Sequence, residues 1–137
     1  LHSLKLYICA RTPLKLDAAT RISSTNHRML RRLVRDHTFR GHSVEKTFDL
    51  WPAVRAGEDK WIFPFQPLAD REFNSALNYE IAVLKPLAEP LLRSLPARHP
   101  GHKKARELLE FLGHFEPIAK SMVPQDSILQ EFIESRG

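Results

Sequence analysis

Five arginines fall within thirteen residues of this sequence, Arg28, Arg31, Arg32, Arg35 and Arg40, and the run closes on Gly41. Guanidinium groups at this density are chemistry for anions: the planar fork grips phosphate bidentately and does not lose its charge. At about 100° per helical residue, Arg28, Arg31, Arg32 and Arg35 share an arc of roughly 100°. Met29, Leu30, Leu33 and Val34 occupy most of the other side. One helix here carries an apolar stripe for packing and a guanidinium stripe for a ligand. A solvated basic face is the bland alternative, and the choice of arginine over lysine favours phosphate.

Other chemistry is thin. Seven histidines invite a metal or triad reading. His99 and His102 are three apart with no acid or thiol nearby, and His37 and His42 flank the end of the arginine run. None has the His-Glu-x-x-His or Cys-x-x-Cys spacing of a zinc site, so no metal site is expected. No serine nucleophile elbow can be written. Cys9, the single cysteine, lies in an apolar run and reads as a buried, inert thiol; it excludes an internal disulfide and fits a reducing cytoplasm. Glycine occurs only at 41, 57, 101, 113 and 137, so a phosphate loop of the Gly-x-x-x-x-Gly-Lys-Ser/Thr type is absent. The chain has arginines suited to closing over phosphates and no cradle to hold them.

The elements that must position the arginines follow from pattern. With 137 residues, 42% hydrophobic and 27% charged, one domain with a real core is the default. The net charge of +5 suits a polyanion or a phosphorylated small molecule. Residues 21–42 concentrate it, with six arginines against one aspartate. No apolar run approaches a membrane span and nothing reads as a signal peptide. Leu4–Ala10 predicts a strand buried in a covered sheet, and few good neighbours for it follow. Residues 11–24 read as a loop. Ser24, Thr25 or Asn26 can cap the arginine helix, which runs to about Phe39 and stops near Gly41. Ser43 can cap a second helix that Pro52 kinks or divides, with Ala56–Lys60 a polar turn. Trp61–Pro67 is an aromatic stretch, either a wall beside a site or core under a loop. Arg71–Leu77 reads as a short strand. Residues 78–95 read as a helix kinked or split by Pro86 and Pro90. Pro96–Gly101 is a break, and Ala105–Leu112 an amphipathic helix. Ser127 and Gln130 have capping-box spacing before a last one.

An ordered set of motifs carries a resemblance. Arg28-x-x-Arg31-Arg32-x-x-Arg35-Asp36-x-x-x-Arg40-Gly41 resembles the lid segment of the uridine kinase and phosphoribulokinase family of P-loop kinases. Arg21–Ser24, Trp51–Arg55 with Gly57-Glu58, Ile62–Gln66, Ala69-Asp70, Phe73–Leu77, Tyr79-Glu80 and Ala82–Lys85 are similar to the bacterial uridine-kinase-like nucleoside kinases. The resemblance runs from about Leu4 to Leu95, more weakly through Leu108 to Ile133. It departs in one place: where the family tends to have Asp-Thr-Arg, this chain has Asn26-His27-Arg28.

The resemblance implies transfer of the γ-phosphoryl group of ATP, with Mg²⁺, to the 5′-hydroxyl of a nucleoside. Arg31, Arg35 and Arg40 would close on the phosphates, Arg28 would face the substrate, and Asp36 would hold an arginine in place rather than act as a base. It implies an α/β fold class: the C-terminal part of a P-loop kinase, mostly helical here with one or two short core strands. Residues 1–95 would be the kinase part, with the lid at about 24–56, and 96–137 a helical tail. The Walker lysine, the metal ligand and the catalytic acid would come from an upstream P-loop half or a partner chain, and the chain alone would be inactive. A homo-oligomer is compatible with this. Two rivals stand beside it: a basic helical nucleic-acid-binding module, and an inert structural or regulatory module.

Overall fold

The computed structural model describes residues 3–11 and 23–134. Helix dominates. Helix α1 spans Ser24–Arg40, α2 Val44–Trp61, α3 Glu80–Ser94, α4 His102–Leu112 and α5 Gln130–Ile133. Strands β1, Leu6–Cys9, and β2, Arg71–Asn74, pair in parallel, Leu6 opposite Arg71 and Cys9 opposite Asn74. This small parallel sheet beside a helical body is compatible with an α/β class. No described helix is long and apolar enough to cross a membrane.

Helix α1 begins one residue earlier than its sequence suggests. Ser23, not Ser24, Thr25 or Asn26, is the cap, its hydroxyl accepting from the Asn26 N–H at 3.4 Å. At the other end Gly41 adopts φ 60° and ψ 23°, and its N–H closes on the Asp36 carbonyl. A Cβ on Gly41 would meet no atom within 4 Å, so its cost is purely conformational. Gly41→Ala should therefore lower unfolding free energy by about 1–2 kcal/mol in a denaturant titration, with no change in helix content.

The apolar stripe of α1, Met29, Leu30, Leu33 and Val34, is buried in one cluster with Ile81, Leu84, Ala88 and Leu92 of α3, Leu108 and Leu112 of α4, and Leu129 and Ile133. Each such leucine or isoleucine contributes about 1.5–3 kcal/mol on leaving water. Helix α3 packs on α1 and α4, while α1 also carries α2 and α5. The tail thus shares the core of the arginine helix.

Of the two outcomes expected at the prolines, a kink or a division, the helices are not divided. Pro52 does not divide α2, which continues through Ala56–Lys60 to Trp61. Arg55 pairs with Glu58 at 2.7 Å and with Asp59 at 3.8 Å, which supports the last turns of that helix. Pro86 and Pro90 likewise leave α3 one helix. Pro86 has no N–H for the Ala82 carbonyl, and Ile118 N–H supplies one at 3.0 Å. The Ser127–Gln130 capping box does not form. Ser127 Oγ accepts from Leu129 N–H at 3.3 Å, and the Gln130 amide donates to the carbonyls of Val123 and Pro124.

The sheet departs most. The strand Leu4–Ala10 is not buried in a covered sheet: Tyr7 and Ala10 are buried, but Leu6 is 52%, Ile8 56% and Phe73 55% exposed. Two strands supply too little surface to be covered on both faces: Tyr7 is packed, while Leu6, Ile8 and Phe73 stay exposed.

Candidate functional site

A cleft of about 300 Å³ opens where the two parallel strands end, with Cys9, Ala10 and Ser75 at its base. Carboxyl ends of parallel strands are the usual place for a ligand, because the helices that follow leave a crevice there. The guanidinium side of α1 forms one wall with Arg28, Arg31, Arg32 and Arg35. Glu58 and Phe63 face it from the end of α2 and the 3-10 segment Phe63–Leu68, and Phe132 of α5 closes the side.

The arginines are not equivalent. Arg28 donates from Nε and Nη2 to the two oxygens of Glu58, at 3.0 and 3.1 Å, and its Cζ lies 5.3 Å from the Phe63 ring centre. Glu58 also accepts from Arg55 at 2.7 Å. Arg31 is only 7% exposed. Its Nε and Nη2 donate to Glu80, the latter at 2.7 Å, and Nη2 and Nη1 also reach the Ser75 carbonyl and hydroxyl. That ties the arginine helix to the carboxyl end of β2. Glu80 is fully buried and takes two further contacts, His27 Nε2 at 2.9 Å and the Leu77 N–H at 3.2 Å. Burial alone would raise its pKa, but the hydrogen bonds and charges of Arg31 and His27 outweigh it and bring it to about 2.

Arg32, Arg35 and Arg40 share one fully buried carboxylate, Asp36, at 3.2, 3.7 and 3.2 Å, with His42 at 3.8 Å. Asp36 thus holds arginines in place rather than standing free as a base. These are charge contacts rather than aligned hydrogen bonds. Arg32 Nε and Arg35 Nε are buried and make no hydrogen bond among the described residues. Burial, then the neighbouring charges of Arg40 and Arg32, lower the Arg35 pKa against the pull of Asp36. Three guanidiniums against one carboxylate leave this end of the wall electropositive.

Arg28, Arg31 and Arg35 therefore meet in one cleft, and Arg40 does not line it, lying half-exposed at the end of α1. Sequence reasoning had Arg32 on the right arc but gave it no role. Glu58 and Glu80 stand in the sequence only as parts of motifs, and nothing local marks them or Phe132 as partners of the arginines. Of the aromatic stretch, Phe63 forms a wall and none of Phe63–Leu68 is buried core. Cys9 is half-buried at the cleft rather than deep in the core. His99 meets Asp49 at 3.1 Å and His102 the Leu95 carbonyl at 3.3 Å, both structural contacts. No group of three or more potential metal ligands gathers among the described residues.

The carboxylates lining or supporting the cleft are already committed to arginines. What its described residues offer is binding and stabilisation of negative charge, not proton transfer. No family model, no curated protein and no solved structure matches this chain.

Proposed function

We propose that the chain is the lid-bearing C-terminal part of an ATP-dependent nucleoside kinase of the uridine kinase type, and that the cleft is its phosphate-binding wall. The observation that carries this is the pair Arg32 and Arg35: buried guanidinium nitrogens with only off-line charge contacts to one shared carboxylate, in a positive surplus, at the carboxyl ends of parallel strands. Phosphoryl transfer asks a protein mainly for positioning and for neutralisation of charge, which is what such a wall supplies. Arg35 and Arg32 take the phosphate oxygens. Arg28, latched to Glu58 beside Phe63, faces the substrate side. Arg31 fixes the wall to β2, and Arg40 acts from the rim through Asp36.

ATP, when bound, supplies the phosphoryl group. Its phosphates fit the donors of this wall. Its Mg²⁺ has no uncommitted carboxylate among the cleft residues described, so the metal is assigned to the upstream P-loop half. The exposed Leu6, Ile8 and Phe73 support such a half, or a partner chain, extending and covering the sheet. A nucleic-acid module fits less well. Arg31 is buried and Arg28 is engaged by Glu58, so half of the stripe is withdrawn from a phosphate backbone.

Joined to its upstream P-loop half, the chain should phosphorylate uridine or a related nucleoside in an ATP-dependent assay. No activity on any nucleoside would sink the kinase reading. In the chain by itself, Arg35→Ala should weaken tripolyphosphate binding about 10- to 100-fold, the loss of one charge-assisted contact. Retention of DNA or RNA that falls steeply with salt, with no response to nucleoside, would favour the nucleic-acid module instead.

A further inference from the structure

The last helix contributes to the arginine wall as well as to the core. Phe132 lines the cleft, with Arg31 Cζ over its ring at 4.9 Å and Arg35 Cζ at 6.0 Å. Arg28 and Arg31 are each fixed by a two-pronged carboxylate contact, whereas Arg35 has only the off-line contact to Asp36 at 3.7 Å. No aligned hydrogen bond from its buried Nε holds that guanidinium among the described residues. An aromatic ring whose centre lies 6.0 Å from Cζ attracts that cation electrostatically. An attraction of this kind consumes no hydrogen-bond donor, so the N–H groups of Arg35 stay available to oxygen ligands.

The ring stands on a fixed platform. Leu129 and Ile133 on either side of it are buried, Gln130 is bonded to two carbonyls of the preceding segment, and Tyr79 meets Ser127 at 3.1 Å. A four-residue helix has no stability of its own, so this anchoring is what sets the ring. We infer that Phe132 is a positioning residue of the anion site, by which the C-terminal tail presents Arg35 to phosphate. The inference rests on the phosphate reading of the cleft.

Tripolyphosphate titrated calorimetrically into the chain at low salt tests it. Phe132→Leu should weaken binding about 3- to 30-fold, and Phe132→Trp should retain or tighten it. Pentafluorophenylalanine at position 132 keeps the ring's shape and reverses its charge distribution. It should weaken binding like leucine while the circular dichroism stays that of the folded parent, and it decides the matter if Phe132→Leu does not fold. Parental affinity in the fluorinated chain, with Arg35→Ala still losing affinity, would overturn the role of Phe132 and leave the cleft reading intact. If neither the parent nor Arg35→Ala binds tripolyphosphate, or both bind alike, the inference and the cleft reading fall together.

Discussion

Glu80→Gln is expected to cost about 3–5 kcal/mol of stability, because it leaves a buried guanidinium without its counter-charge. For a chain of this size that is a fall in Tm of roughly 10–15 °C by calorimetry. The substitution is nearly isosteric, so packing is not what changes. Arg31 is 7% exposed and cannot turn to water, and the new amide sets N–H donors against a group that is itself only a donor. The pairing with His27 is weakened in the same step. A loss below about 1 kcal/mol would mean the buried network contributes little. Removing both charges at once should behave otherwise: Arg31→Met with Glu80→Leu should recover much of the stability, since no uncompensated ion remains.

Acid gives the same network a second readout. Glu80 is held at about 2 against an ordinary 4.5. Between these values the unfolded chain binds a proton that the folded chain refuses, so stability rises with pH across the window. The contribution is complete above about pH 5 and is lost as pH falls toward 2, with a total on the order of 3 kcal/mol. The Glu80→Gln variant should lack that leg, and its unfolding free energy should vary less between about pH 5 and pH 2 than the parent's.

The arginine stripe therefore divides its labour. Arg31 and Arg28 are spent on architecture: one fixes the helix to the end of β2, the other closes the helix onto α2. Arg32 and Arg35 share the single carboxylate of Asp36 with Arg40, which leaves a net positive surplus. A wall made this way would be preorganised for an anion, since Arg32 and Arg35 stand on a helix that Arg31 and Arg28 tie to its neighbours.

How much of this was legible depended on the range of the interaction. The apolar and basic faces of α1 follow from a period of 3.6, and Gly41 as its stop from a purely local requirement on φ. The start slipped by one residue because Ser23, Ser24, Thr25 and Asn26 are all competent caps, and local chemistry does not choose among them. Pro86 signals a break only if the Ala82 carbonyl has nowhere else to go. Its actual partner, Ile118, is a tertiary contact. The same holds for the site. Arg31 and Glu80 are 49 residues apart and Arg28 and Glu58 are 30 apart, so nothing in either neighbourhood shows which arginine will be buried. Periodicity placed four guanidiniums on one arc and could not say which would be left for a ligand.

Asp36→Asn separates stability from binding more sharply than any other single change. Asp36 is fully buried and is the only carboxylate within 4 Å of Arg32, Arg35 and Arg40 among the described residues. Neutralising it should cost about 2–3 kcal/mol. The loss is smaller than for Glu80→Gln, because the arginines around Asp36 are partly exposed and recover hydration. Its effect on anion affinity should have the opposite sign. One negative charge removed at about 7 Å from a bound phosphate, at an effective dielectric of 20–40, is worth about 1–2 kcal/mol. Tripolyphosphate should then bind roughly 5- to 30-fold tighter at low salt, and the gain should shrink as salt is added. Denaturant titration and calorimetric titration of the same preparation read both quantities. If Asp36→Asn weakens stability and binding together, its carboxylate matters to the site chiefly by ordering the arginines, not by offsetting their charge.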